Sequence, residues 1–307
     1  MSNEAETAIE ILESDRPRGH DGLVVPPSSA PVRRFSVDGR EIAGIVAPGQ
    51  RPVLLLHGNS SSKAVWAHQI PMLIGQGRGV LAPDLPGHGD SDHALDPELT
   101  YSFPGYAAAI GGLLDALGWD TVDVVGWSLG GHVGLELLAT DLRVQSLLIV
   151  GTPPIRPCPE ALEQAFYGGD DMNLAGKLSF SPTDALAYAT AMMGGADQVT
   201  PDLLAAAVRT DGRARACMFA NGLRGVGTDQ CATVESSDKP LCVVHGNDEP
   251  FVRLDYLRAI KYQALYNERI HVIAGAGHAP HWQSPSVFND LLCAFVTSGR
   301  AATRAAE

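Results

Sequence analysis

The sequence predicts an α/β protein: a mostly parallel, doubly wound sheet with a helical cap inserted into it. Two observations carry this. Short apolar runs alternate with amphipathic helical stretches up to about residue 152 and again from about residue 236, the rhythm of a parallel sheet wound on both faces. Between them, from about Ile155 to Glu235, the strand-like runs stop and only helical pieces follow. The expected organisation is a poorly ordered leader over 1–30, a core formed by 31–152 and 236–298, a helical cap over 153–235, and a frayed tail over 299–307.

Taken in order, Ala5–Leu12 reads as a short helix within the leader. Val32–Val37 and Glu41–Val46 flank Asp38-Gly39 and predict a β-hairpin. Pro52–Leu56 is a buried strand that ends in His57-Gly58-Asn59-Ser60-Ser61-Ser62, with a helix following over Trp66–Ile74. Gly79–Ala82 is another strand, leading into Asp84-Leu85-Pro86-Gly87-His88-Gly89. Tyr106–Leu117 is an amphipathic helix stopped by Gly118, and Ser146–Val150 is a further strand. In the cap, helical pieces fall at Ala161–Phe166, Thr183–Met193, Pro201–Val208 and Arg213–Leu223. The sheet then resumes at Pro240–Val244, followed by a helix over Val252–Leu265, a strand over Arg269–Ile273 and a closing helix over Pro285–Thr297.

The 307 residues carry a formal net charge of −13. That balance excludes a nucleic-acid partner, which needs a basic face, and docking on an anionic membrane. No run approaches the roughly 20 apolar residues of a membrane span. Met1–Glu13 lacks the basic-then-apolar layout of a secretion signal. The five cysteines are scattered without a CxxC pair, and Cys242 and Cys293 read as buried fillers. A reduced, cytoplasmic setting is expected.

Chemistry concentrates at Val122-Asp123-Val124-Val125-Gly126-Trp127-Ser128-Leu129-Gly130-Gly131-His132. An apolar run meets Gly-x-Ser-x-Gly, and helical spacing follows, so Ser128 is the candidate nucleophile at a strand-to-helix corner. Side chains at 126 and 130 would collide as strand and helix pack on the turn. Serine needs a base, and His278, in the glycine loop Ala274–Pro280 after a strand, is the candidate. His281 reads as structural. The acid lies in His245-Gly246-Asn247-Asp248-Glu249-Pro250, where two neighbouring carboxylates compete. Backbone N–H groups of Leu129 and Asn59 are the expected oxyanion donors, with His57 bracing its loop. Trp127 is either a packing residue or a pocket wall, and His132 reads as a helix-surface residue. His88-Gly89-Asp90-Ser91-Asp92-His93 only superficially suggests a dinuclear metal motif, because Asp90 stands where a histidine is needed. No metal and no cofactor are expected.

From about Val32 to Val296 these residues resemble the α/β-hydrolase superfamily, which implies the α/β-hydrolase fold. In that family the acid segment usually reads His-Gly-x-x-Asp-x-x-Val. Counting from His245-Gly246, the fifth place is Glu249 and Val252 follows, which makes Glu249 the acid and Asp248 the alternative. The oxyanion, elbow and Gly151-Thr152-Pro153-Pro154 segments, together with Arg209–Arg215 and Asp248–Val252, are similar to the α/β-hydrolase-type N-acyl-homoserine lactonases. The resemblance implies a Ser-His-Glu triad and metal-independent opening of an acyl-homoserine lactone ring, the chemistry of quorum quenching. The cap is then expected to hold the acyl chain. Met192, with Met172, Met193 and Met218, either lines that site or fills the cap's own core. The Tyr188 hydroxyl is either a donor to a substrate carbonyl or a buried structural group. The competing readings are a general carboxylesterase or C–C bond hydrolase with the same triad, and a non-catalytic ligand receptor. Oligomeric state is not legible.

Overall fold

A computed structural model describes residues 6–13 and 30–304. One nine-stranded sheet organises them. Its strands are β1 (Ala8–Leu12), β2 (Val32–Val37), β3 (Arg40–Ala47), β4 (Gln50–Leu56), β5 (Arg78–Pro83), β6 (Val122–Trp127), β7 (Val144–Val150), β8 (Leu241–Gly246) and β9 (Arg269–Ile273). Their order across the sheet is β1-β9-β8-β7-β6-β4-β5-β3-β2. From β1 to β5 every pairing is parallel, and the β2–β3 hairpin closes the far edge antiparallel. The central strands are apolar and β-branched because helices cover both faces, so alternation with polar residues is not required. Val53–Leu56 and Leu147–Val150 are fully buried.

On the sheet lie α1 (Gln69–Gly75), α3 (Phe103–Leu117) and α4 (Leu129–Thr140), while α2 (Pro97–Thr100) packs against α3. Ser102 caps α3 by accepting from the Gly105 N–H, and Gly118 at φ 65° ends it, a left-handed position that suits glycine. Between β7 and β8 run α5 (Pro159–Ala165), α6 (Asp170–Leu174), α7 (Pro182–Met193), α8 (Pro201–Arg209), α9 (Gly212–Leu223) and α10 (Gln230–Ser236). Ser181 and Asp184 form a reciprocal capping box on α7. These inserted helices are tied to the sheet side by polar bonds. The Asn221 amide donates to the Glu98 and Tyr101 carbonyls, and the Tyr101 hydroxyl donates to Asp211 at 2.7 Å. Finally come α11 (Leu254–Ala259), α12 (Pro280–Gln283) and α13 (Pro285–Arg304).

Several expectations are corrected. Residues 8–12 form a strand, not a helix: β1 pairs with β9 from Ala8–Arg269 to Leu12–Ile273, and the backbone ladder replaces local helical bonds. The rest of the expected leader, 1–5 and 14–29, lies outside the described residues. Residues 299–304, expected to fray, continue α13. The helix expected over Val252–Leu265 is confined to Leu254–Ala259, because the chain beyond Ile260 extends to bond the Leu241 N–H to the Ala264 carbonyl. Trp66–Ile74 divides into a 3₁₀ turn at Lys63–Trp66 and then α1. Cys293 is only half-buried, while Cys242 is fully buried and all five cysteines are free. Among the described residues no helix is long and apolar enough to cross a membrane.

Three buried histidines couple this fold to pH. Desolvation lowers His57 to about 4, His88 to about 3 and His132 to about 4, from an ordinary 6.5. Below pH 6.5 the unfolded chain takes up protons at these positions while the folded chain does not. Stability is therefore lost as pH falls from 6.5 towards 4, each histidine contributing about 1.4 kcal/mol per pH unit within that window. Thermal unfolding measured across the window should show a melting temperature that falls steadily. A flat profile contradicts the burial of these neutral rings.

Candidate active site

At the end of β6 the chain turns into α4 through Ser128, whose φ of 53° and ψ of −117° lie where non-glycine residues are rarely found. The surrounding backbone leaves no room to relax. A Cβ on Gly126 would lie 2.3 Å from the Gly130 oxygen, and one on Gly130 would lie 2.1 Å from the Leu56 oxygen. The turn therefore closes tightly against the end of β4. Leu129 is the first residue of α4, so its N–H has no acceptor within the helix, and the residue lines the same cavity as Ser128. The chain after β4 brings Asn59 to the same cavity, and Ser60 turns it at φ 53°.

His278 and Glu249 arrive from the loops after β9 and β8. The His278 Nδ1 lies 2.9 Å from both Glu249 oxygens, and both side chains are buried. Because a carboxylate only accepts, Nδ1 carries the proton, and Nε2 is left as the basic nitrogen. Burial alone would raise the Glu249 pKa, but the His278 charge and hydrogen bond, His245 and the Phe251 N–H outweigh it. The carboxyl is held below its ordinary value. Asp248 lies at an exposed position, with the Asn247 amide at 3.2 Å. Of the two competing carboxylates, the one placed against the imidazole is Glu249.

Ser128, Leu129, Asn59 and His278 line one cavity of about 360 Å³. Tyr188 and Met192 line it as well, with Met172 and Met218, while Met193 is buried outside the lining. Burial is the main cause that pushes the Tyr188 phenol upward, and Arg215 and the Asn59 side chain act against it. Trp127, expected as a possible wall, is not part of the lining. Its ring packs against the loop after β4, where a Cβ on Gly58 would lie 2.9 Å from it, and its Nε1 donates to the His278 carbonyl at 2.8 Å. A strand-end side chain has two faces available, and this one takes the inner one.

His57 braces its loop as expected: Nε2 accepts from the Leu85 N–H at 2.9 Å, and Nδ1 meets the Gly58 carbonyl at 2.8 Å. His281 packs between Trp66 and Trp127 with ring centroids at 4.5 and 5.0 Å. Asp90 is taken up by Lys63 and Arg209, and His88 turns to the Pro86 carbonyl. Among the described residues no group of three or more His, Cys, Asp or Glu side chains is arranged to hold a metal ion.

The reading of the sequence missed three contributors. His132, expected at the helix surface, is buried and lines the cavity because α4 is covered on every side. Phe251, two residues past the acid, meets the His278 ring edge-on at 4.9 Å. Arg215 is buried over the Phe180 ring at 3.8 Å and donates to the Ser60 hydroxyl, joining α9 to the loop after β4. Its only signal in the sequence is its place in the Arg209–Arg215 segment.

The sequence matches the alpha/beta hydrolase family over residues 53–291. The fold superposes on a variant of the N-acyl homoserine lactonase AidH in complex with N-hexanoyl homoserine. The identity is 39% and the TM-score 0.84, over 89% of this chain and 98% of that one. An esterase from Rhodococcus sp. ECU1013 matches at 25% identity and a TM-score of 0.69, over 87% of this chain and 98% of the other. A 2-hydroxy-6-oxononadienedioate/2-hydroxy-6-oxononatrienedioate hydrolase of Cupriavidus pinatubonensis is 26% identical over 81% of this chain and 87% of its own length.

The two carboxylates predict different outcomes. Glu249→Gln should lower kcat by about 10³–10⁴-fold, because the amide can present its N–H₂ to Nδ1 and impose the wrong tautomer. Asp248→Asn should leave turnover essentially unchanged. Steady-state kinetics on any hydrolysed ester decides this, and the reverse pattern overturns the assignment of the acid.

Proposed function

This chain belongs to the alpha/beta hydrolase family and is an ester-hydrolysing enzyme, and we propose that its substrates are N-acyl homoserine lactones, whose ring it opens in quorum quenching. The observation that carries this reading is the likeness to a lactonase along 89% of this chain and 98% of that one. The inserted helices contribute much of the cavity wall.

In this reading Ser128 Oγ attacks the lactone carbonyl while His278 Nε2 takes its proton. The Leu129 and Asn59 N–H groups hold the oxyanion, at fixed positions and shielded from water. Glu249 keeps the Nδ1 proton in place and stabilises the imidazolium that forms. His278 then gives its proton to the departing ring oxygen. That oxygen remains tethered as the homoserine hydroxyl, so no fragment leaves at this stage. A water is next deprotonated by His278 and attacks the acyl-enzyme, releasing N-acyl-homoserine and restoring Ser128. The net change is addition of one water with the amide intact. Segment 153–235 serves as the cap over the acyl chain, with Met192, Met172 and Met218 as adaptable wall and Tyr188 as the donor to the substrate amide carbonyl.

A second reading, cleavage of carbon–carbon bonds in ring-fission products by the same triad, draws on the similarity to the dienedioate hydrolase. Substrate profiling separates the two. Purified protein incubated with lactones carrying acyl chains of four to twelve carbons should give products heavier by one water, which close again at acid pH. Ser128→Ala should abolish the change. Free fatty acid with homoserine lactone, or fast cleavage of dienones with no lactone opening, would contradict the proposal.

A further inference from the structure

One polar ring in the cavity wall has no part in the reaction just described. We infer that His132 forms a hydrogen-bond-acceptor subsite that selects acyl chains bearing a hydroxyl on their third carbon, an inference that rests on the lactonase reading.

The acceptor character follows from the bonds around the ring. Nδ1 lies 2.9 Å from the Gln230 Oε1. That same oxygen receives the Ile155 N–H at 3.4 Å, which agrees with its being the carbonyl end of the amide. An amide oxygen can only accept, so the imidazole proton sits on Nδ1, and a neutral ring then has a lone pair at Nε2. Burial keeps the ring neutral, holding its pKa to about 4. Among the described residues no protein donor is bonded to Nε2, and the ring forms part of the cavity lining.

The surroundings make this lone pair conspicuous. The ring is stacked on Phe103 with centroids 4.7 Å apart and planes 12° from parallel, and Phe166 lies at 6.4 Å. Ile155, Leu162 and Met218 share the lining. An acceptor in such a wall gains most from a ligand that brings its own donor.

Position identifies where that donor belongs. His132 stands on the first turn of α4, four residues past the Ser128 corner, a rise of about 6 Å along the helix. In an acyl homoserine lactone, five bonds separate the carbonyl attacked by the serine from the third acyl carbon. Three such bonds span about 3.8 Å across a trans amide, so five extended bonds reach about 6 Å. A hydroxyl there donates to Nε2. A ketone at the same carbon is itself an acceptor and opposes the lone pair, and an unsubstituted chain leaves it without a partner.

The test compares three lactones of equal chain length: 3-hydroxy, unsubstituted and 3-oxo. For the native enzyme, kcat/KM for the 3-hydroxy chain should exceed that for the unsubstituted one by about tenfold, with the 3-oxo chain lowest. His132→Phe, which keeps the stack on Phe103 and loses the acceptor, should bring the hydroxy-to-unsubstituted ratio to about one. The native ratios need no variant, so the proposal stays testable if the substitution fails to fold. Equal rates on all three lactones overturn the subsite and leave the lactonase reading standing, as does a preference that survives His132→Phe. Absence of turnover on every lactone overturns both.

Discussion

The corner at Ser128 is the constraint on which the rest depends. A serine at φ 53° and ψ −117° costs on the order of 1–3 kcal/mol, and it persists because its neighbours have nowhere else to go. Gly126 stands against Gly130, Gly130 against the end of β4, and Gly131 against Thr152, whose hydroxyl a Cβ would approach to 2.1 Å. Gly151, at φ 59°, leaves room for the His278 ring, which a Cβ there would approach to 2.9 Å. These contacts fix the distances from β6 to β4 and β7, and so place the Asn59 and His278 loops relative to the serine. A long, tightly packed sheet is what makes one strained residue tolerable.

The histidine is held by two kinds of contact. Glu249 fixes its tautomer from one side, and Trp127 holds its backbone by donating to the His278 carbonyl from below. Phe251 packs edge-on against the ring. Glutamate carries one more methylene than the aspartate usual in this family, and the Phe251 N–H, which bonds to its Oε1 at 2.9 Å, fixes where the carboxylate ends. The inserted helices join the same arrangement through Arg215, which reaches Ser60 beside Asn59. The inserted helices and the loop after β4 are thus mechanically connected.

Much of this is legible in the chain because the signals are local. Apolar β-branched runs mark β4 to β9, and Gly-x-Ser-x-Gly at the end of one of them marks the corner. The residues alone left Asp248 and Glu249 in competition, and Glu249 stood out only when counted against the His-Gly-x-x-Asp-x-x-Val pattern of the family it resembles. What the sequence could not show depends on tertiary partners. β1 has half-exposed Ile9 and Ile11 and is a strand only because β9 offers its edge. His132 reads as a surface residue until α4 proves to be enclosed on all sides. Trp127 sits at a strand end, where nothing in the sequence says which face its ring takes.

The central claim is that Ser128 forms a covalent intermediate by opening the ring. Ring opening on an enzyme has a distinctive consequence: the leaving oxygen stays attached, so the intermediate carries every atom of the substrate. Rapid acid quench of the protein with an acyl homoserine lactone, followed by digestion and mass spectrometry, measures this directly. The account predicts that the peptide containing Ser128 gains the full mass of the lactone. A gain equal to the acyl group alone would show attack at the amide, and an adduct on any other residue would contradict the assignment of the nucleophile.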